Sequence, residues 1–114
     1  MSMARLTFSK EFDSVEDTSR GNPFDLKCTR GDEILYVEVK GTSSAGEAIQ
    51  VTRGEVEFNR TNKNRMALFL LQGIEVIESE GQTYARGGTV YIKGPPWKIE
   101  PADLIPICYT LKIR

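Results

Sequence analysis

Two short stretches of the chain alternate between apolar and polar residues on either side of a glycine. Their apolar positions are Phe24, Leu26 and Cys28 in the first stretch and Leu35, Val37 and Val39 in the second. A period of two predicts a β-strand with one buried face, and Gly31-Asp32 between the stretches predicts a tight turn. The pattern therefore predicts a β-hairpin.

A helix is expected after the hairpin, because Thr52-Arg53-Gly54-Glu55 has the spacing of a capping box. Thr52 would cap the helix and Glu55 would reach back to it. The helix is predicted to run from about Arg53 to Asn62 or Lys63. The small and polar residues 41–47 before it predict a loop.

The rest of the pattern is mostly β. Residues 66–72 form an apolar run that is typical of a buried strand. Shorter strands are predicted at 74–78, 82–86, 89–93 and 107–113, and one helical turn at 101–104. The weak apolar pattern of the first ten residues fits either a short strand or an incomplete helix. No linker or repeat divides residues 1–114, so we expect a single α/β (α+β) domain built on a mixed sheet.

The geometry of the hairpin brings charged residues together. If Gly31 takes the first central position of a type II′ turn, Asp25 lies directly opposite Glu38. Cross-strand partners project from one face about 5 Å apart, and Lys40 shares that face. Carboxylates this close repel each other unless a cation lies between them, and Mg²⁺ suits their oxygens. An ordinary charge cluster on a solvated face would have the same pattern.

Composition narrows the chemistry. The chain has 114 residues, a net charge of −1 and no histidine. Without histidine, Ser-His-Asp catalysis and histidine-ligated zinc are excluded, so an enzyme here would depend on carboxylates, lysine and a hard metal ion. The net charge gives no overall attraction to nucleic acid or to a membrane. Cys28 and Cys108 are expected to be buried reduced thiols, which indicates a cytoplasmic protein.

Three longer motifs make the charged cluster more specific. They are Asn22-Pro23-Phe24-Asp25-Leu26, Tyr36-Val37-Glu38-Val39-Lys40-Gly41-Thr42 and Ile49-Gln50-Val51-Thr52-Arg53-Gly54-Glu55. Together they resemble the domain at the C-terminus of the plant protein No Vein, over roughly Phe12 to Leu71. Related modules are widespread in prokaryotic restriction and defence proteins and are placed in the PD-(D/E)XK nuclease superfamily. The resemblance implies a restriction-endonuclease-like mixed sheet, a central hairpin that carries the Asp and the Glu-x-Lys, and one main helix after it.

The resemblance also implies roles for individual residues. Asp25 and Glu38 would bind Mg²⁺ or Mn²⁺ together with the carbonyl of Val39. Lys40 would be the catalytic lysine, so that Asp25, Glu38 and Lys40 form the catalytic set. The expected reaction is metal-dependent hydrolysis of DNA phosphodiester bonds in restriction or defence.

Nucleic-acid contacts are expected around the start of the helix. Thr42 and Arg53 would contact phosphate, and Gln50 resembles a polar residue that some members of the superfamily use near the metal. The unpaired amides of the helix that Thr52 caps suit phosphate as well. DNA is therefore the expected partner.

One departure from the superfamily keeps a second function open. A helix that often carries a further acidic ligand usually precedes the Asp strand, but only about ten residues precede Phe12 here, too few for a full helix. Glu11 or Glu16 would have to supply that ligand. The sheet would be left partly uncovered, which a homodimer or a larger restriction or defence assembly would repair. The alternative function is a catalytically inactive nuclease-fold module that binds nucleic acid or protein.

Overall fold

The computed structural model describes residues 2–43 and 48–114, so the predicted loop at 41–47 lies partly outside the described residues. The described residues form the helices α1 (Ser2–Ser9) and α2 (Arg53–Asn62) and the strands β1 (Ser14–Asp17), β2 (Leu26–Arg30), β3 (Glu33–Gly41), β4 (Met66–Gln72), β5 (Glu75–Ser79), β6 (Gln82–Arg86) and β7 (Thr89–Lys93). Single 3₁₀ turns lie at Lys63–Arg65 and Pro101–Asp103. No helix in these ranges is long and apolar enough to cross a membrane.

Five of the strands form one mixed sheet in the order β1-β2-β3-β4-β7, and β5 pairs with β6 in a separate hairpin. Strands β3 and β4 are parallel, while the other neighbours in the sheet are antiparallel. A parallel pair needs a crossover connection, and α2 supplies it. The expected α+β class with a mixed sheet is therefore confirmed.

The β2–β3 hairpin has the predicted register, with Leu26 opposite Val37. Its turn depends on Gly31, whose φ of 58° lies in the left-handed region that side chains disfavour. A positive φ at the first central residue is what a type II′ turn requires. The same register places Asp25, one residue before β2, beside Glu38.

The two faces of the sheet carry different cores. On the α1 face, the buried apolar residues are Ala4, Phe8, Leu26, Cys28, Leu35, Val37, Ala67 and Phe69. On the α2 face, a smaller cluster consists of Met66, Leu68, Leu70 and Trp97, with Tyr36 and Phe58 packed against it. Strand β3 contributes alternate residues to the two faces, as its period of two requires.

Two predictions about the first part of the chain are wrong. The first ten residues take the helical one of the two predicted forms: α1 has eight residues and buries Ala4 and Phe8. The expectation that no helix precedes the Asp strand is therefore wrong. Phe24 does not share a face with Leu26, because β2 begins after it; its ring packs 4.8 Å from that of Phe58 on the α2 face.

The predicted strand at 107–113 is also wrong, because residues 104–114 form neither a helix nor a strand. Cys28 is buried as expected, but Cys108 is exposed on this segment. The strands predicted at 66–72, 74–78, 82–86 and 89–93 agree with β4 to β7 to within one residue, and the predicted bounds of α2 agree as well. The helical turn predicted at 101–104 is found at Pro101–Asp103. Strand β1 had no prediction.

Candidate functional site

A cleft of about 450 Å³ lies on the α2 face, where β2 begins, β3 nears its end and α2 starts. Its charged lining residues are Asp25, Glu38, Lys40 and Glu55. The register of the hairpin places Asp25 beside Glu38, and Lys40 lies on the same face because it is two residues further along β3. Glu55 joins them from the first turn of α2. If all four were ionised, the cleft would carry two negative charges in excess.

Asp25 is held in place by the edge of β3. Its backbone N–H donates to the carbonyl of Val37 at 2.9 Å, and its Oδ2 accepts a bond from the N–H of Val39 at 2.8 Å. The carboxylate of Asp25 thus takes the place of a main-chain carbonyl as the acceptor for Val39, just beyond the last paired residues of β2 and β3. Because the N–H and C=O of a strand residue point to the same side, the carbonyl of Val39 also faces the side of Asp25.

Glu38 is a buried carboxyl without a full set of partners. Its side chain is 5% exposed, and Oε1 lies 3.6 Å from Nζ of Lys40. Oε2 is buried with no hydrogen-bond partner among the described residues. Burial, together with the adjacent carboxyls of Asp25 and Glu55, raises the pKa of Glu38 from 4.5 to about 9. Glu38 is therefore protonated at neutral pH and can donate to a neighbouring carboxylate.

Lys40 and Glu55 form the charged pair of the cleft. Nζ of Lys40 lies 3.2 Å from Oε1 of Glu55 and 2.9 Å from Oε2. Burial alone would lower the pKa of Lys40, but the bond to Glu55 and the nearby carboxylates raise it overall. Burial alone would raise the pKa of Glu55, but the bonds from Lys40, Glu38 and the Thr52 amide lower it overall.

The capping box ties the start of α2 to the cleft. Oγ1 of Thr52 accepts a bond from the N–H of Glu55 at 3.1 Å, and Oε1 of Glu55 accepts one from the N–H of Thr52 at 3.2 Å. The predicted capping box is therefore confirmed. Glu55 both caps the helix and holds Lys40, a second role that the sequence analysis missed. The capping box predicted the start of α2 but not that this start lies beside the end of β3.

The structure separates the predicted site residues into two groups. The cleft is lined by Asp25, Glu38, Val39, Lys40 and Thr52. Thr42 lies outside it, and its N–H donates to the carbonyl of Leu71 at 2.9 Å. Gln50 and Arg53 line a neighbouring groove of about 1010 Å³, which shares Thr52 with the cleft.

The residues proposed for a third acidic ligand are elsewhere. Glu11 and Glu16 are exposed and do not line the cleft; Glu55 is the third carboxylate there. Within residues 2–43 and 48–114, no group of three or more His, Cys, Asp or Glu side chains is placed to hold a metal ion. A cation in the cleft would rest on Asp25, Glu38, the Val39 carbonyl and water, an oxygen set that suits Mg²⁺ or Mn²⁺.

The fold and the cleft define a small α+β domain with a buried carboxylate–lysine cluster. The family model described as "Protein NO VEIN, C-terminal" matches residues 2–84, which is more than half of the 114 residues. The chain belongs to this family. All four charged residues of the cleft lie within the match, whereas β7 and residues 104–114 lie beyond it. No curated protein and no solved structure matches the chain.

Proposed function

We propose that this domain is a metal-dependent nuclease of the PD-(D/E)XK kind that hydrolyses DNA phosphodiester bonds, in keeping with a role in restriction or defence. The observation that carries the proposal is the meeting of Asp25, Glu38 and Lys40 in one cleft, with the carboxyl of Glu38 beside that of Asp25. A charge cluster on a solvated face would not bury Glu38 to this extent.

Asp25 and Glu38 would hold the metal with the carbonyl of Val39. The buried Oε2 of Glu38 has no donor among the described residues, and a cation would satisfy it. Mg²⁺ would supply Lewis-acid polarisation of the phosphodiester and activation of water. Glu38 has to lose its proton for this to happen, because a protonated carboxyl is a poor ligand.

Lys40 would act on the scissile phosphate. Its ammonium can donate to the attacking water or to the oxygens on which charge develops, which is the role of a preorganised donor. Glu55 orients the amine from the first turn of α2. The positive end of the α2 dipole and the exposed guanidinium of Arg53 are suited to the flanking DNA phosphates.

Plasmid and single-stranded DNA cleavage, measured with and without Mg²⁺ or Mn²⁺, tests the proposal. The native chain should cut one of these substrates only with metal. Asp25→Asn keeps an acceptor for the Val39 amide but removes the charge, and Lys40→Met keeps the aliphatic stem. Each should reduce the rate by at least about 100-fold.

The matched control is Glu33→Gln, which removes a carboxylate from the same strand but at the surface, where Glu33 pairs with Arg30. Its rate should equal that of the native chain. Calorimetric titration with Mn²⁺ gives a second readout, and Asp25→Asn should weaken it at least about tenfold. A native chain that neither binds Mn²⁺ nor cuts any of the substrates overturns the proposal.

A second candidate is a catalytically inactive module that binds nucleic acid or protein. It is favoured by the full engagement of Lys40 with Glu55 and by the lack of a three-ligand group in the described ranges. For this function, DNA affinity should be independent of metal and unchanged in Lys40→Met, and no cutting should occur. The two candidates therefore give opposite results in the same experiment.

A further inference from the structure

Residues 104–114, here called the 104–114 segment, carry apolar side chains at every second position. Ile105, Ile107, Tyr109, Leu111 and Ile113 are each 70–84% exposed. This period of two is that of a β-strand with one apolar face. The segment nevertheless forms neither a strand nor a helix. It therefore has the sequence of a strand and lacks the sheet that would bury it.

Strand β7 lies at the edge of the sheet and lacks a neighbouring strand on one side. It is the last strand of the five-stranded sheet, and among the described residues no strand lies beyond it. Its central residues Val90, Tyr91 and Ile92 are 41–50% exposed, so apolar side chains stand uncovered on both faces of the edge. An exposed edge of this kind presents a row of backbone donors and acceptors to an added strand.

The chain between the two packs on the α2 face and leads the 104–114 segment to α2. Trp97 is buried on the α2 face, and its backbone N–H donates to the carbonyl of Lys63 at 2.9 Å. Asn59 of α2 donates to the carbonyl of Trp97 and accepts from the N–H of Ile99, both at 2.8 Å. The segment then starts beside α2, because Leu104–Cys108 shares the larger groove with the beginning of that helix.

We propose that the 104–114 segment of one copy adds as a strand to the β7 edge of a second copy, and that the exchange is reciprocal. Each chain carries a strand-like segment without a sheet and, at β7, an apolar edge without a neighbouring strand. Two copies related by a two-fold axis satisfy both at once and close the assembly. A second copy is therefore the occupant that leaves neither feature unpaired.

Strand addition accounts for the two kinds of group involved. Main-chain bonds pair the edge of β7 with the segment, and alternate side chains give the contact its apolar core. An antiparallel orientation keeps Lys112 of the segment away from Lys93 at the far end of β7. Five side chains exposed to this degree, together with the β7 edge, approach the roughly 800 Å² per partner of a stable interface.

Sedimentation velocity of the full chain across micromolar concentrations tests the proposal, which does not depend on nuclease activity. The native chain should be a dimer. Ile107→Lys with Leu111→Lys breaks the apolar face of the segment, and Val90→Lys with Ile92→Lys breaks the β7 edge; each double variant should be monomeric. Thr110→Lys adds the same charge to the opposite face of the segment and should leave the dimer intact.

Mixing the two double variants provides the sharper result. The edge variant still carries an intact segment and the segment variant an intact edge, so the mixture should form a one-to-one heterodimer although neither dimerises alone. Circular dichroism checks that each variant is folded. A native chain that stays monomeric, a dimer that survives in the segment variant, or a mixture that stays monomeric overturns the proposal. Slow amide exchange of the segment in a monomer would mean that it packs on its own chain.

Discussion

Strand β3 presents two surfaces that differ in chemistry but hardly in depth. Val37 points to the α1 face and is completely buried among apolar residues, while its neighbour Glu38 points to the α2 face and is 4% exposed. The first gains free energy from leaving water, whereas a carboxyl at the same depth has to lose its charge or find partners. Two consecutive residues thus belong to surfaces of opposite effect: the α1 face stabilises the fold, whereas the cleft on the α2 face destabilises it.

The difference shows how the domain can maintain its cleft. The carboxyl of Glu38 stands beside two other acidic groups, and only Lys40 offsets them within the described cleft. Such an arrangement is unfavourable in isolation. The apolar core of the α1 face, the hairpin and the capping box of α2 hold these side chains together. Mutations on the two faces should therefore affect stability with different magnitudes, different pH dependence and even different signs.

The largest effect is expected on the α1 face. Phe69→Ala removes a ring that is 2% exposed and packs against Phe8 at a centroid distance of 6.1 Å. The free energy of unfolding in urea should fall by about 3–5 kcal/mol, at any pH between about 5 and 9, because neither ring titrates. Phe12→Ala, at the partly buried rim of the same core, is the control and should cost clearly less. Equal losses would contradict the assignment of the core to Phe69.

On the α2 face, Lys40→Met should cost about 1–3 kcal/mol at about pH 8, because it leaves buried carboxylates without their cation. The pKa of Glu55 lies below its ordinary value in the native chain. Its stabilisation is therefore present above about pH 4.5 and is lost as the pH falls through the folded pKa. The variant loses this term, so its deficit should shrink on acidification.

Lys98→Met is the matched control for Lys40→Met, because Lys98 pairs with Glu100 at the surface, at 3.5 Å. Its unfolding free energy should stay within about 0.5 kcal/mol of the native value. A deficit for Lys40→Met that is independent of pH would contradict the assignment of the loss to the ion pair of Lys40 with Glu55.

The positions of the cleft residues on the hairpin could be predicted because they follow from local rules. A glycine turn fixes the register, the register pairs Asp25 with Glu38, and the strand period adds Lys40. The bounds of α2 follow from its capping box in the same way. Each of these steps depends on residues close together in sequence, which is where pattern and propensity are most informative.

Contacts between distant residues could not be predicted in this way. Glu55 reached the cleft because α2 crosses over the sheet to join β3 to β4, and no short-range pattern gives the position of that helix on the sheet. The strand prediction for the 104–114 segment was wrong for the opposite reason. Its alternation is a clear strand signal, but a strand needs a neighbour, and the described residues provide none within the same chain.

A stabilising change is expected at Glu38. Its pKa of about 9 lies above the ordinary 4.5, so between these pH values the native state binds more protons than the unfolded state. Stability therefore falls as the pH rises through this window. Glu38→Gln removes the titration and should be more stable than the native chain by at least about 1 kcal/mol at about pH 8 in metal-free buffer.

Near pH 4, where the carboxyl of Glu38 is mostly protonated in the unfolded chain as well as in the folded one, Glu38→Gln and the native chain should be about equally stable. Glu33→Gln, on the same strand but at the surface, should show no such pH-dependent gain. A loss of stability in Glu38→Gln at high pH would mean that Glu38 is ionised and serves as a partner of Lys40.

The smallest effect on stability is expected at Arg53, whose side chain is 91% exposed and forms an ion pair with Glu57 at 2.9 Å. Arg53→Ala should change the unfolding free energy by no more than about 0.5 kcal/mol. If Arg53 contacts phosphate as we propose, DNA affinity should fall and the slope of log affinity against log salt should decrease by about one.

The control is Glu57→Gln, which breaks the same ion pair but keeps the guanidinium, so it should leave that slope unchanged. An equal change of the slope in both variants would show that Arg53 does not contact phosphate. A loss of affinity in Arg53→Ala only would show that an exposed charge can matter for binding while it matters little for folding.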